Sequence, residues 1–187
     1  MKRRWIWLSI LLLIAGASAY VWRREQLERK FLPQIHAAAQ RYGVDPMLVR
    51  AVVWRESRFH RDARGAKGEI GLMQIQETAA REWADTEGIR SFTHEHCVDP
   101  ATNTLAGTFY LSKLLKRYAG TDNPVPYALA DYNAGRSNVL RWNTAGAATN
   151  STVFVEQISF AGTRGYVKSV MRRYRLYQLL VRLRWTE

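Results

Sequence analysis

The stretch from Asp45 to Ile75 constrains the fold most, because it predicts a helix followed by a glycine-rich loop. Asp45 is a good N-cap, and Pro46 suits the first position of a helix. Four residues then follow at the i, i+3, i+4 and i+7 spacing of one helix face: Val49, Val52, Val53 and Glu56. The pattern therefore places a carboxylate on the apolar face of its own helix.

Glu56 needs an explanation at this position, because carboxylates are rarely buried without a partner. Burial penalises the charged form of the acid, and so does the negative end of a helix dipole. Both effects predict a raised pKa and a group that can donate a proton near neutral pH. The alternative is that Glu56 turns to the edge of the face and pairs with a nearby arginine, which would be Arg55, Arg58 or Arg61.

The loop that follows favours a functional interpretation of Glu56. Its glycines, Gly65, Gly68 and Gly71, allow close backbone approach and lead into the uncharged segment Leu72-Met73-Gln74-Ile75. Such a loop can form one wall of a cleft.

Length and charge limit the classes of protein that the chain can represent. Its 187 residues leave room for one domain of about 150 residues beyond an N-terminal segment. The net charge of +12 divides into +5 in residues 1–30, +6 in residues 164–187 and +1 between them. A nucleic-acid-binding protein would carry its positive charge beside its recognition element, so we expect no nucleic-acid partner.

The N-terminal segment, residues 1–22, predicts export or membrane anchoring. Eighteen uncharged residues, Trp5 to Trp22, lie between basic residues, which is near the lower limit for spanning a bilayer. Ala17-Ser18-Ala19 offers a cleavage site, so a cleaved signal is the alternative. Aromatic residues at both ends of the run favour an uncleaved anchor.

Residues 23–32 predict a charged linker, and residues 33–187 predict a mainly helical domain. Proline and N-cap pairs mark helix starts at Pro33, Asp99-Pro100 and Pro124, and a final helix is expected over about 164–184. His94, His96 and Cys97 invite a metal interpretation. However, three ligands within four residues and no second cluster do not match zinc-ligand spacing, so we expect no metal.

Four motifs in order give this sequence a specific resemblance to a known family. They are Glu56-Ser57-Arg58-Phe59, Gly71-Leu72-Met73-Gln74-Ile75, Ala130-Asp131-Tyr132-Asn133-Ala134-Gly135 and Arg164-Gly165-Tyr166-Val167. The chain resembles the family 1 lytic transglycosylases of the soluble-transglycosylase (SLT) type over about residues 33–180. The segment from Asp99 to Asn103 is similar to the Pro-x-x-Asn helix entry of that family.

The resemblance implies a lysozyme-like, mainly helical domain with a catalytic cleft. It implies cleavage of the bond between N-acetylmuramic acid and N-acetylglucosamine in peptidoglycan, leaving a 1,6-anhydro-muramyl end, without a cofactor or metal. Glu56 would then be the general acid and base. The substrate's own C6 hydroxyl and N-acetyl groups would replace the second carboxylate of hydrolytic glycosidases.

The resemblance also implies roles for other residues around the cleft. Ser57 would hydrogen-bond near the cleaved bond, and Met73 and Gln74 would line the sugar subsites. Six residues are thus expected to bind substrate or support Glu56: Ser57, Met73, Gln74, Tyr132, Asn133 and Tyr166. Of these, Tyr132 and Asn133 would face Glu56 across the cleft, and Tyr166 would orient it.

Two positions depart from the family pattern. Gly162 replaces a common glutamate, which would loosen the support of Tyr166, and Asp131 replaces the commoner alanine, which would add a carboxylate near the cleft. The expected protein is an enzyme of the bacterial cell envelope, acting on peptidoglycan from the periplasm and anchored in the inner membrane. A hydrolytic muramidase and a non-catalytic peptidoglycan-binding scaffold are the alternatives, and any partner in an envelope assembly is unknown.

Overall fold

The computed structural model describes residues 2–184, without the side chains of Lys2, Arg3, Ile6 and Arg184. Met1 of the predicted N-terminal segment and residues 185–187 of the predicted domain lie outside the described residues. The α-helices of residues 2–184 are α1 (Lys2–Lys30), α2 (Leu32–Tyr42), α3 (Pro46–Glu56), α4 (Glu77–Thr86), α5 (Pro100–Arg117), α6 (Pro124–Ala134), α7 (Arg136–Trp142), α8 (Ser151–Gln157) and α9 (Ala161–Arg184). Two 3₁₀ helices, His94–Val98 and Ala145–Ala148, connect them.

The domain is mainly helical, as the sequence predicted. Within residues 2–184 there is no extended strand, and the β-bridges that occur there are isolated ones in the loop after α3. They join Ile70 to Arg64 and to Ile75. This loop is therefore a compact hairpin-like turn, which fixes the wall that it presents to the rest of the domain.

The predicted helix starts are confirmed where side chains cap the backbone. The Met47 N–H donates to Asp45 Oδ1 at 2.8 Å, and the Thr102 N–H donates to Asp99 Oδ2 at 2.8 Å. Each carboxylate satisfies a backbone donor that the helix leaves unpaired. The final helix, α9, begins at Ala161, three residues before its predicted start at Arg164.

Helix α3 lies in the centre of the core. Its residues Val49, Val52 and Val53 are fully buried, and the helix packs mainly against α9 and α2. Each such side chain contributes about 1.5–3 kcal/mol by leaving water. This packing fixes the end of α3, and therefore the position of Glu56, from several sides.

The segment predicted as a linker, residues 23–32, is helical as far as Lys30. Its Glu28 side chain accepts hydrogen bonds from Arg50 Nη2, at 2.7 Å, and from the Tyr177 hydroxyl. These contacts join α1 to α3 and α9. The aromatic side chains of Trp5 and Trp22 are exposed, and among the residues with described side chains no helix is long and apolar enough to cross a membrane.

Candidate active site

A cavity of about 590 Å³ lies between the end of α3, the loop after it, the start of α4 and the end of α6. Polar and aromatic side chains face into it: Glu56, Glu69, Gln74, Tyr110, Tyr132 and Asn133. A cleft of this size with a few convergent polar groups is typical of a ligand-binding site. It is therefore the candidate active site.

Glu56 is the last residue of α3 and lies on the cavity wall. Burial raises the pKa of its carboxyl group to about 7, in the direction that the sequence predicted. A hydrogen bond from the Tyr166 hydroxyl to Oε1, at 2.6 Å, and the charge of Arg55 act in the opposite sense. Glu56 can therefore donate a proton near neutral pH and, once ionised, accept one.

The alternative in which Glu56 pairs with a neighbouring arginine is not found. No ion pair involves Glu56 among the residues that the structure describes. The Arg58 guanidinium instead lies over the ring of Trp54, 3.5 Å from its centroid, and Arg61 contacts Asp62 at 3.5 Å. The nearby arginines therefore form no ion pair with Glu56, whose carboxyl group faces the cavity and accepts a hydrogen bond from Tyr166.

Tyr132, Asn133 and Tyr166 lie near Glu56 although they are far from it in sequence. Tyr132 and Asn133 line the cavity from α6, whereas Tyr166 lies behind Glu56 on α9 with only 2% of its surface exposed. The Tyr132 hydroxyl donates to the Met73 carbonyl at 2.8 Å, and Asn133 Oδ1 accepts from the Thr163 hydroxyl at 2.8 Å. The expected group of residues around Glu56 is therefore assembled from α3, α6 and α9.

The side chains of Met73 and Ser57, two of the predicted substrate contacts, lie away from the cavity lining. Met73 is fully buried, and its sulfur accepts a hydrogen bond from the Thr108 hydroxyl at 3.7 Å. The Ser57 hydroxyl is also buried and lies 2.8 Å from the Leu72 carbonyl, to which it donates. Both side chains hold the loop against the core because the motif packs inward at these positions, and neither is among the residues that line the cavity.

Gln74 lines the cavity, but its amide nitrogen is used within the loop. Nε2 donates to the carbonyl groups of Ala63, at 3.0 Å, and Gly71, at 2.9 Å. The Gln74 backbone itself has a φ of 47°, which is unusual for a residue other than glycine. These hydrogen bonds hold the strained backbone and leave the amide oxygen as the polar group that Gln74 offers to a ligand.

Asn103 on α5 fixes the same loop and was identified from the sequence only as part of a helix entry. Its side chain is fully buried and makes three hydrogen bonds of 2.8 Å, with the Met73 N–H and the carbonyls of Ile70 and Cys97. A Cβ atom on Gly71 would lie 2.3 Å from Asn103 Nδ2. Glycine is therefore required at this position for both its close approach and its φ of 78°.

The two departures from the family pattern do not disturb Glu56. Asp131 is 1% exposed, and its Oδ2 atom accepts from Arg117 Nη1 at 2.6 Å and from the Tyr118 hydroxyl at 2.7 Å. Its charge is thus matched within the cavity wall. With Gly162 at the start of α9, Tyr166 still bonds Glu56, and the Arg55 guanidinium lies 5.2 Å from the centre of its ring.

The histidines near Cys97 are engaged with the backbone. His94 Nε2 lies 2.9 Å from the Ile75 carbonyl oxygen, and His96 Nδ1 accepts from the Thr93 N–H at 3.1 Å. Within residues 2–184, no three potential metal ligands form a group that could hold an ion.

Glu69 and Tyr110 line the cavity but were not assigned to the site from the sequence. A charged residue in a polar, glycine-rich loop is ordinarily solvent-exposed, and an aromatic residue on a helix is ordinarily part of the core.

Comparisons with known proteins agree with the fold and with the motifs. The sequence profile of the transglycosylase SLT domain matches residues 33–154. The chain is 37% identical over 118 residues to membrane-bound lytic murein transglycosylase C of Pectobacterium atrosepticum, covering 60% of this chain and 33% of that protein. It is 31% identical over 177 residues to soluble lytic murein transglycosylase of Escherichia coli K12, covering 91% of this chain and 26% of that protein.

A solved structure gives the corresponding three-dimensional match. The inactive glutamate-to-glutamine mutant of lytic transglycosylase Slt from Pseudomonas aeruginosa superposes with a TM-score of 0.72 and 28% identity. The match covers 80% of this chain and 24% of that one. The chain thus spans between a quarter and a third of the length of the curated relatives quoted above.

Proposed function

Because this chain belongs to the transglycosylase SLT domain family, we propose that it is a peptidoglycan lytic transglycosylase in which Glu56 is the general acid and base. The observation that carries the proposal is the position of the Glu56 carboxyl group in a polar cavity, where burial raises its pKa to about 7. A solved structure of the Pseudomonas aeruginosa relative is that of an inactive glutamate-to-glutamine mutant, so that protein needs a glutamate for its activity.

In the proposed reaction Glu56 first protonates the oxygen of the β-1,4 bond between N-acetylmuramic acid and N-acetylglucosamine. The bond from C1 to that oxygen breaks, and positive charge develops on the muramyl ring. The Glu56 carboxylate then accepts the proton of the muramyl C6 hydroxyl as its oxygen bonds to C1. One group with a pKa near 7 can serve in both steps, because it is close to equally stable in its two forms.

The residues around Glu56 have separate roles in this proposal. Tyr166 positions the carboxyl group through its hydrogen bond, and Gln74, Tyr132 and Asn133 contact the glycan from the cavity walls. The polar groups suit N-acetyl and hydroxyl substituents, and the ring of Tyr132 suits the face of a sugar. Ser57 and Met73 act indirectly, by holding the loop that carries Gln74.

The proposed location is the bacterial cell envelope, with residues 33–187 in the periplasm. The curated relatives include proteins named membrane-bound and soluble. We propose that the apolar run from Trp5 to Trp22 anchors the protein in the inner membrane. Cleavage after Ala17-Ser18-Ala19 is the alternative, and N-terminal sequencing of the protein purified from the envelope distinguishes the two.

Digestion of purified peptidoglycan sacculi tests the proposal against its non-catalytic alternative. The wild-type protein is expected to release soluble muropeptides, whereas a scaffold with this fold would sediment with intact sacculi and release none. The buried carboxyl group of Glu56 favours the enzyme. Its burial lowers stability at neutral pH, and a non-catalytic scaffold would not need such a group in the cavity.

The pH dependence follows from the raised pKa of Glu56. The first step needs the protonated form, so kcat/KM is expected to be constant at low pH and to fall above about pH 7, by about tenfold per pH unit. Initial rates of muropeptide release at constant ionic strength measure this fall in kcat/KM. A rate that already falls near the ordinary value of 4.5 would contradict the assigned environment of Glu56.

Tyr166→Phe is expected to slow cleavage by roughly tenfold and to move the fall in kcat/KM to higher pH. The lost hydrogen bond favours the charged form of Glu56, so its removal raises the Glu56 pKa further. The matched control is Tyr174→Phe on the same helix, since that hydroxyl bonds Asp45 at 2.6 Å, away from the cavity. If kcat/KM of Tyr166→Phe falls at the same pH as that of the wild type, Tyr166 does not have the positioning role.

A further inference from the structure

The cavity holds a second carboxylate that the reaction described above does not use. Glu69 lies in the loop between α3 and α4 and lines the same cavity as Glu56. We propose that Glu69 is a positioning residue of the active site, whose fixed negative charge favours the neutral form of Glu56 and the positive charge that develops on the sugar. The inference rests on the proposed function and adds a residue to it.

Glu69 is held in place rather than extended into solvent. Its Oε2 atom accepts a hydrogen bond from the Lys67 N–H at 2.8 Å, and its Oε1 atom accepts from Gln76 Nε2 at 3.3 Å. The Gly65 N–H donates to the Glu69 carbonyl at 2.8 Å, which closes the hairpin. The loop therefore fixes both the backbone and the carboxylate of Glu69.

Gly65 makes room for this carboxylate. A Cβ atom at position 65 would lie 2.2 Å from Glu69 Oε2 and 2.9 Å from Glu69 Cδ. The carboxylate thus lies directly over the glycine backbone, in a space that any larger residue would fill. This placement is a second sign, beside the hydrogen bonds, that the loop is built around the charged group.

The carboxyl groups of Glu56 and Glu69 have opposite pKa shifts. Burial opposes the charge of Glu69, but hydrogen bonds from the backbone N–H groups of Glu69 and Lys67 outweigh it and lower the pKa of Glu69. Burial raises the pKa of Glu56, and the Glu69 charge adds to that increase. At neutral pH Glu69 is therefore a carboxylate while a substantial fraction of Glu56 is still protonated, a division typical of carboxyl groups with separate roles.

The other groups that face Glu56 cannot replace this charge. On α3 the neighbouring ionisable group is Arg55, whose positive charge favours the ionised form of Glu56. On α6 the groups are Tyr132 and Asp131, and on α9 the group is Tyr166. Burial raises the pKa of both tyrosines well above the ordinary value, so both stay neutral, and the Asp131 charge is paired with Arg117. In the loop, Lys67 also lines the cavity, and its charge acts on Glu69. Of these groups, Glu69 is the one whose negative charge raises the pKa of Glu56.

The proposed effect on the reaction is electrostatic. Cleavage passes through an oxocarbenium-like state with positive charge near C1, which a fixed carboxylate in the same cavity stabilises more than it stabilises the neutral substrate. The same charge disfavours early loss of the Glu56 proton. Both effects act at neutral pH without a proton transfer to or from Glu69.

The test is the pH profile of Glu69→Gln, which removes the charge but keeps an acceptor for the Lys67 N–H. The fall in kcat/KM is expected to move about half to one pH unit lower, so the loss of activity is larger at pH 8 than at pH 5.5. An NMR titration of Glu56 in the same full-length variant is expected to show its pKa lowered by the same amount. Glu69→Asp keeps the charge and is expected to keep the wild-type profile.

A matched control removes a carboxylate outside the cavity. Glu156→Gln breaks an exposed ion pair with Lys168 and is expected to leave the profile unchanged. An unshifted profile in Glu69→Gln, or equal shifts in the Gln and Asp variants of Glu69, would overturn the inference while leaving Glu56 as the acid. Absence of muropeptide release by the wild type, or full activity in Glu56→Gln, would instead overturn the proposed function.

Discussion

Glu56→Gln is expected to reduce the rate of muropeptide release by about 10²- to 10⁴-fold, the usual contribution of general acid and base catalysis. Glutamine has the shape of the neutral acid and can keep a hydrogen bond with Tyr166, but it can neither donate the required proton nor accept one from the C6 hydroxyl. Release of soluble products from sacculi at pH 6 measures the loss. Activity equal to that of the wild type would remove Glu56 from the mechanism.

The stability of the same variant separates lost catalysis from misfolding. The Glu56 pKa is raised from 4.5 in the unfolded chain to about 7 in the fold. Its favourable contribution to stability is therefore complete below about pH 4.5 and is lost as the pH rises through about 7. Glutamine stays neutral at every pH, so the Glu56→Gln variant does not lose stability through ionisation of a buried group. At pH 8 it is therefore expected to be at least as stable as the wild type in urea unfolding. A large destabilisation at pH 8 would contradict the burial of a neutral acid.

Asn103→Ala is expected to lower the free energy of unfolding by about 2–4 kcal/mol, because three hydrogen bonds are lost and their backbone partners stay buried. It is also expected to slow cleavage, since the freed groups include Met73 N and Ile70 O in the loop that carries Glu69 and Gln74. Urea unfolding at pH 6 gives the first quantity.

The control for Asn103→Ala is Asn138→Ala on α7, where the side chain makes a single, partly exposed hydrogen bond to the Ala134 carbonyl. That variant is expected to lose less than about 1 kcal/mol. Equal losses in the two variants would show that Asn103 does not fix the loop.

The local features of the fold were predictable from the sequence. Asp45 and Asp99 cap their helices as predicted, and Gly43 ends α2 with a left-handed backbone, φ 65°. These features depend on neighbouring residues, whose chemistry is visible in the sequence. The apolar face of α3 likewise identified Glu56, because periodicity alone places it beside Val49, Val52 and Val53.

The contacts between distant segments were not predictable from spacing. The Tyr166 hydroxyl meets Glu56 across 110 positions of the chain, and Asn103 reaches Met73 across 30. The family resemblance suggested Tyr166 as a partner. It also predicts substrate contacts for Met73 and Ser57, and only the structure shows that both side chains are buried. A motif names the residues of a loop, whereas packing decides which of them face the cavity.

Glu69 is a residue of the cavity whose environment could not be predicted from the sequence. Nothing in a Lys-Gly-Glu sequence distinguishes a carboxylate held by hydrogen bonds from a solvated one. The difference lies in the Lys67 N–H, the Gln76 side chain and the absence of a side chain at Gly65. Backbone donors that point at one side chain become visible only after the loop has folded. The proposed effect of Glu69 on Glu56 therefore could not be predicted from the sequence.

The most direct test of the central claim is the mass of the new glycan ends produced from purified sacculi by the wild-type protein. Lytic transglycosylation by Glu56 predicts 1,6-anhydro-muramyl ends, formed without the addition of water and absent from a Glu56→Gln digest. Reducing muramic acid ends, heavier by one water molecule, would contradict the account and would make the protein a hydrolytic muramidase.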